Sequence, residues 1–214
     1  MKIVIAGLLL ACSAWAAAPP KLVFTKTFPG STPAFEFVSL DETGTLTYKE
    51  SATDDQPLTT KMPASDVTLL FAQAEKLNYF RSPLDSGLKV ANTGKKTFRY
   101  IDANGAATET SFNYSTDPTA TQLLNRFEQI ASSERAYLEL DRAVHFDKLG
   151  VNEALAQIES LWLQKNLAAP QQFIPLFNRI IEHESFMHLV RTRAARLKSE
   201  FEAPPGAVST AEAK

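Results

Sequence analysis

Apolar and polar positions change their period partway along the chain. From Ala34 to Leu40, Phe35 and Phe37 fall on one face and Glu36 on the other, the two-residue period of a half-buried strand. Leu22, Phe24 and Phe28 begin an extended segment before it, closed by Phe28-Pro29-Gly30. Asp41-Glu42-Thr43-Gly44 reads as a turn with glycine available for a positive φ, and Thr45 to Lys49 returns as the hairpin partner. Residues 52–64 are polar and contain proline, which predicts a surface loop.

Helical spacing follows. Ser65 reads as an N-cap, and Val67, Leu70, Phe71, Ala74 and Leu77 form one apolar stripe, predicting a helix over 66–79. A second hairpin is predicted from Thr97 to Asp102 and from Thr108 to Tyr114, joined through Asn104-Gly105. Phe98 and Tyr100 share a face of it, opposite Phe112 and Tyr114. Asp117 and Pro118 then supply a cap and a first-turn proline for a helix buried through Leu123, Leu124, Phe127, Ile130 and Ala131.

After Ser132-Ser133 the pattern is helical throughout, and from Glu134 to Glu202 the only glycine is Gly150. Tyr137, Leu140 and Val144 fit one helix with Gly150 as its stop. Ala154, Leu155, Ile158 and Trp162 fit a second, and Phe173, Phe177 and Ile180 a third near Pro170 and Pro175. Met187, Val190, Ala194, Leu197 and Phe201 fit a fourth, capped by Ser185. Residues 203–214 are Pro, Ala, Ser and Thr rich and read as a disordered tail. These elements predict an α+β fold. An antiparallel sheet in ββα-ββα order, residues 21–131, packs one face on helices, and an all-helical segment, residues 134–202, follows. No Pro, Gly or Ser-rich linker separates the two parts, so they can share one core.

The N-terminus carries a targeting signal. Lys2 precedes an uncharged stretch from Ile3 to Ala18, too short at its apolar heart to span a bilayer. Ala14-Trp15-Ala16 places small residues at −3 and −1, so residues 1–16 read as a cleaved signal peptide and Ala17 as the first mature residue. A second reading stays open. Leu9-Leu10-Ala11-Cys12 resembles a lipobox, with a lipoprotein signal ending before Cys12 and a membrane tether through that residue. Cys12 is the only cysteine, so ordinary cleavage leaves none, which leans toward a bacterial envelope and a periplasmic or secreted location.

Lysine and arginine number 22 against 24 aspartates and glutamates, a net charge of −2. That balance gives no electrostatic footprint for nucleic acid, and a membrane is expected only through lipidation at Cys12.

Residues 28–131 resemble a bacterial secreted or lipoprotein domain of unknown function that opens with a Cys-x-Gly-x-Cys-Pro-x-Tyr segment. Gly30, Pro33 and Phe35 stand where its Gly, Pro and Tyr stand, and Phe28 and Thr32 occupy both cysteine positions. The resemblance implies hairpin, helix, hairpin and helix in that order. Any redox or metal role of the cysteine pair does not carry over, and no activity is implied.

Catalytic signals are missing from the sequence. His183 and His188 are five apart, about 140° around a helix, and Met187 stands where a second zinc ligand belongs. Gly87 precedes Gly94 by seven residues, and Lys96 follows Lys95 where a phosphate loop requires Ser or Thr. No Gly-x-Ser-x-Gly elbow occurs, and Asp41, Asp102 and Asp147 lack calcium-loop spacing. His145 beside Asp147 reads as a cation at a helix C-terminus. Catalytic, metal and cofactor-binding residues are therefore all read as none. Arg191, Arg193, Arg196 and Lys198 spread around a helix as a solvated face, with docking of an acidic partner or lipid headgroups as the alternative. Phe186 falls off the Met187–Val190–Ala194–Leu197 stripe, so Phe186 and Arg191 are the candidate partner contacts.

The sequence thus points to an exported envelope protein acting as a non-catalytic binding or interaction module, its partner or ligand unidentified. The alternative is a secreted or periplasmic hydrolase with no recognisable motif. A broad apolar patch on the C-terminal helices would favour the module, and convergent acidic and histidine side chains in one pocket would favour the hydrolase.

Overall fold

In the computed structural model, which describes residues 18–203, two aspartates close the two hairpins in the same way. Asp41 Oδ1 accepts the Thr43 and Thr45 N–H groups, each at 2.9 Å. Asp102 Oδ1 accepts those of Asn104 at 2.8 Å and Ala106 at 2.9 Å. Gly44 and Gly105 follow three residues after each aspartate with φ of +84° and +83°, a conformation that a Cβ disfavours.

These turns organise one antiparallel sheet of six strands: β1 (Lys21–Thr27), β2 (Phe35–Asp41), β3 (Thr45–Lys49), β4 (Leu58–Lys61), β5 (Lys95–Ile101) and β6 (Ala107–Phe112). Their order is β4-β3-β2-β1-β5-β6, so the second hairpin joins the first through β1 and β5. Four strands precede the first helix, one more than the three extended segments read from the sequence. β4 lies within the segment read as a loop, because Leu58 is its only apolar residue and a four-residue edge strand leaves no alternation to detect.

The helix-covered face carries Leu22, Phe24, Val38, Leu40, Leu46, Tyr48, Phe98 and Phe112, all buried. In β2 this reverses the reading that the aromatic positions suggest: Phe35 and Phe37 lie half-buried on the outer face, and Glu36 shares the inner face with Val38 and Leu40. Helix α1 (Ala64–Lys76) starts one residue before Ser65, directly after Pro63, and no side chain caps it.

Helix α2 (Pro118–Phe146) corrects the largest element. Its 29 residues run without a break through Ser132-Ser133, spanning about 44 Å at 1.5 Å per residue. Asp117 caps it as expected, accepting the Thr119 N–H at 2.7 Å and the Ala120 N–H at 3.0 Å. Ser133 is fully buried and donates to the Gln129 carbonyl one turn back, so its hydroxyl is satisfied inside the helix and does not end it. The first half of α2 packs Leu123, Phe127 and Ile130 under the sheet, and the second half packs Leu140 and Val144 into a separate helical cluster.

That second cluster is completed by α3 (Val151–Leu163), α4 (Ile174–Glu182) and α5 (His188–Glu202). Gly150 does not stop α2. It lies at φ −70° as the cap residue opening α3, and the Asp147 carboxylate accepts its N–H at 3.1 Å. Phe173, Phe177 and Ile180 are fully buried, as their spacing predicts. Trp162 and Phe201 pack at a tilt in the same aromatic group, with ring centroids 4.8 Å apart.

The α4–α5 junction reverses one assignment. Phe186 is 4% exposed and belongs to the core, whereas Met187 is 54% exposed. α5 begins only at His188, and Met187 has an extended ψ of 146°, so the stripe running back from Val190 does not continue into the turn. Ser185 is exposed in that turn and caps nothing, since Met187 holds the cap position without a side-chain hydrogen bond.

Candidate functional site

The inner face of the sheet is apolar over most of its length and charged at one end. Reading across β2, β1, β5 and β6, Glu36 pairs with Lys26, Lys26 with Lys96, and Lys96 with Phe112. Each lies two residues from a core position such as Val38, Phe24 or Phe98, so pleat alternation directs all four to the covered side. Helix α2 meets this rung with matching charges seven residues apart on one of its faces. Glu128 accepts from Lys26 Nζ at 2.7 Å. Arg135 bridges Glu36 and Glu50, its Nε donating to Glu50 at 3.1 Å, and it also donates to the Thr32 carbonyl.

Burial sets the electrostatics of the rung. Tyr48 donates to Glu50 at 3.1 Å. Its phenol is pushed above the ordinary tyrosine range by desolvation and then by the Glu50 charge, with Arg135 opposing. Lys96 is 4% exposed and donates to the Thr93 hydroxyl and, at 2.8 Å, to the Asn113 carbonyl. Burial, and then the neighbouring Lys26 ammonium, hold it below the usual lysine range.

Two clefts flank the Lys26–Glu128 pair. The larger, of about 560 Å³, lies between the β1–β2 loop, which contributes Phe28, Ser31 and Pro33, and α2, which contributes Asn125, Ser132 and Arg135. Its charged walls are tied into ion pairs, and Asn125, Ser132 and Asn166 complete a polar lining, an arrangement suited to holding a polar ligand. The smaller, of about 240 Å³, opens over Lys96, Thr93, Ser115 and Thr121.

Further along α2, Glu134 is fully buried between β4 and the short 3₁₀ turn at Pro170–Phe173. Its carboxyl accepts from Thr60 at 3.3 Å and Gln172 at 3.1 Å, and burial raises its pKa to about 7.

At the far end of the helical part, large apolar side chains face solvent. Phe146 is 86% exposed, Leu149 80% and Leu189 65%. The turn after α2 lies beside the α4–α5 turn, since the Lys148 ammonium sits 5.9 Å from the centre of the Phe186 ring. Phe146, Leu149, Met187 and Leu189 therefore belong to one end of the molecule.

The residues singled out from the sequence fall apart in space. Phe186 is core and supplies no docking anchor. Arg191 is half-buried on the first turns of α5, and its Nε is buried with no hydrogen-bond partner among the described residues. Of the basic run, Arg193 and Arg196 both reach Glu159 on α3, and Arg196 also pairs with Glu200 at 2.8 Å, so much of this charge joins helices. His183 ends α4 and His188 begins α5, both exposed. His145 lies in the last turn of α2, at the helix C-terminus where the sequence places it, 3.3 Å from Asp141 and 2.7 Å from Arg179. Among the described residues, no group of three or more His, Cys, Asp or Glu is placed to hold a metal. Cys12, Ala16 and Ala17, with the rest of the targeting signal, lie outside the described residues, as does the tail beyond Ala203.

Sequence reasoning passed over the charged rung, although a signal was present. Lys26 continues the alternation of Leu22 and Phe24, and Lys96 that of Phe98 and Tyr100, so both lysines sit in register with core positions. Compared with known proteins, the chain matches no family model and no curated relative.

Proposed function

We propose that this chain is an exported bacterial envelope protein, periplasmic or secreted, that works as a non-catalytic partner-binding module. The observation that carries the reading is the apolar end of the helical part, where Phe146, Leu149, Met187 and Leu189 are each exposed. Large apolar side chains left exposed at one end of a protein mark interaction sites, and aromatic groups at such places anchor interfaces. The carboxylates of the larger cleft, Glu36 and Glu128, are engaged by Arg135 and Lys26, which favours holding a ligand over transferring protons.

Photo-crosslinking from position 149 in intact cells tests the module directly. One discrete protein adduct is expected, abolished by Phe146→Ser with Leu189→Ser while the melting temperature stays within a degree or two. Diffuse labelling, or an adduct indifferent to those substitutions, would remove the docking surface. Intact mass of the exported protein should place the mature N-terminus at Ala17, and a diacylglyceryl adduct on Cys12 would replace that with a membrane tether.

A further inference from the structure

Lys96 is the one cation of the charged rung that lacks a carboxylate partner among the described residues. Lys26 has Glu128, and Arg135 has two glutamates. The Lys96 ammonium has three N–H groups, of which two are used, on the Thr93 hydroxyl and the Asn113 carbonyl. A buried charge satisfied only by neutral acceptors is costly, and an anion at the third N–H would offset that cost.

The smaller cleft provides the room and the remaining contacts. It opens over Lys96 and is lined by Thr93, Ser115, Thr121, Leu124 and Phe112. Ser115 is buried, and its Oγ accepts the Asp117 N–H at 3.2 Å, which leaves its own hydroxyl proton available. Leu124 and Phe112 add an apolar wall. The loop over 85–94 fixes the floor: Asn113 Oδ1 accepts the Thr93 N–H at 2.9 Å, and Asp85 accepts the Asn113 N–H at 2.8 Å. The groups around the ammonium are therefore held before any ligand arrives.

We infer that this cleft is a binding site for a small organic carboxylate, whose oxygens take the third Lys96 N–H and the Ser115 hydroxyl while its carbon skeleton rests on Leu124 and Phe112. Charge decides the ligand class. Lys26 and Glu128 cancel at the mouth, so the local surplus is the single positive charge of Lys96. A monoanionic carboxylate matches that surplus, and a phosphate dianion exceeds it beside Glu128. The site is separate from the apolar end of the helical part and does not depend on it.

Acetate and butyrate titrations of the ¹⁵N-labelled protein, at fixed ionic strength, test the site. Saturable shifts are expected for the Thr93, Asn113 and Ser115 amides with either carboxylate, and none with the same concentration of chloride. Lys96→Met should abolish them. Thr121→Glu places a fixed carboxylate at the rim from an exposed position in the first turns of α2, so it keeps the fold and should weaken binding at least about tenfold. If Lys96→Met fails to fold, Thr121→Glu decides. Shifts that never saturate, that survive Thr121→Glu, or that are stronger with inorganic phosphate than with acetate would each overturn the assignment.

Discussion

Ser133 Oγ accepts the backbone N–H of Ala168 at 2.7 Å, joining the middle of the long helix to the segment between α3 and α4. The same hydroxyl donates to the Gln129 carbonyl at 2.8 Å, so both its roles are filled. Ser133→Ala strands the Ala168 N–H in a half-buried place. The variant should lose about 1–3 kcal/mol by denaturant unfolding, and the Ala168 amide should exchange faster with solvent. An unchanged unfolding midpoint would mean that water replaces the hydroxyl there.

That bond also explains where the sequence misled. A Ser-Ser pair between two apolar stripes reads as a break, whereas Ser133 lies buried inside the helix against a partner 35 residues away, which local pattern cannot contain. The hairpins were legible because their turn chemistry is local: Asp41 with Gly44, and Asp102 with Gly105, do the work within five residues. The helical core around Phe173 and Phe177 was legible from spacing alone. Phe186 was not, because its burial depends on a turn whose path breaks the helical phase. The charged rung required knowing that β1 lies between β2 and β5, a long-range pairing.

Glu134 gives the fold a pH dependence of calculable sign. Its folded pKa of about 7 stands above the ordinary 4.5, so the folded state holds the proton more tightly than the unfolded chain. Its contribution is full below about pH 4.5 and is lost as pH rises through about 7. Glu134→Gln keeps an acceptor for Gln172 and removes the charge. It should flatten that part of the stability profile and gain up to about 3 kcal/mol at pH 8. Denaturation midpoints at pH 5 and pH 8 check this, and a slope identical in both proteins would contradict it.

The two residues at the α4–α5 turn should behave oppositely on truncation. Phe186 is buried within the helical cluster, so Phe186→Ala should cost about 3–5 kcal/mol. Met187 is exposed, and Met187→Ala should change stability by less than about 0.5 kcal/mol. Thermal melts of the pair decide the matter, and equal effects would mean that the turn is not built as described.

Arg135 holds together three elements, α2, β2 and the end of β3, through Glu36 and Glu50. The Glu36 side chain is only 13% exposed, so removing its partner leaves a nearly buried carboxylate uncompensated. Breaking a fully buried pair costs about 3–5 kcal/mol, and with the arginine side chain itself 26% exposed, solvent reduces that to about 2–3 kcal/mol for Arg135→Met. Arg135→Lys should recover only part of the loss, because one ammonium replaces a planar group whose separate nitrogens reach both carboxylates. The decisive measurement is a double-mutant cycle with Glu36→Gln. Once Glu36 is neutral, Arg135→Met should cost markedly less than in the parent chain. Strict additivity would mean that Arg135 acts through packing of its aliphatic stem and not through the charges that it bridges.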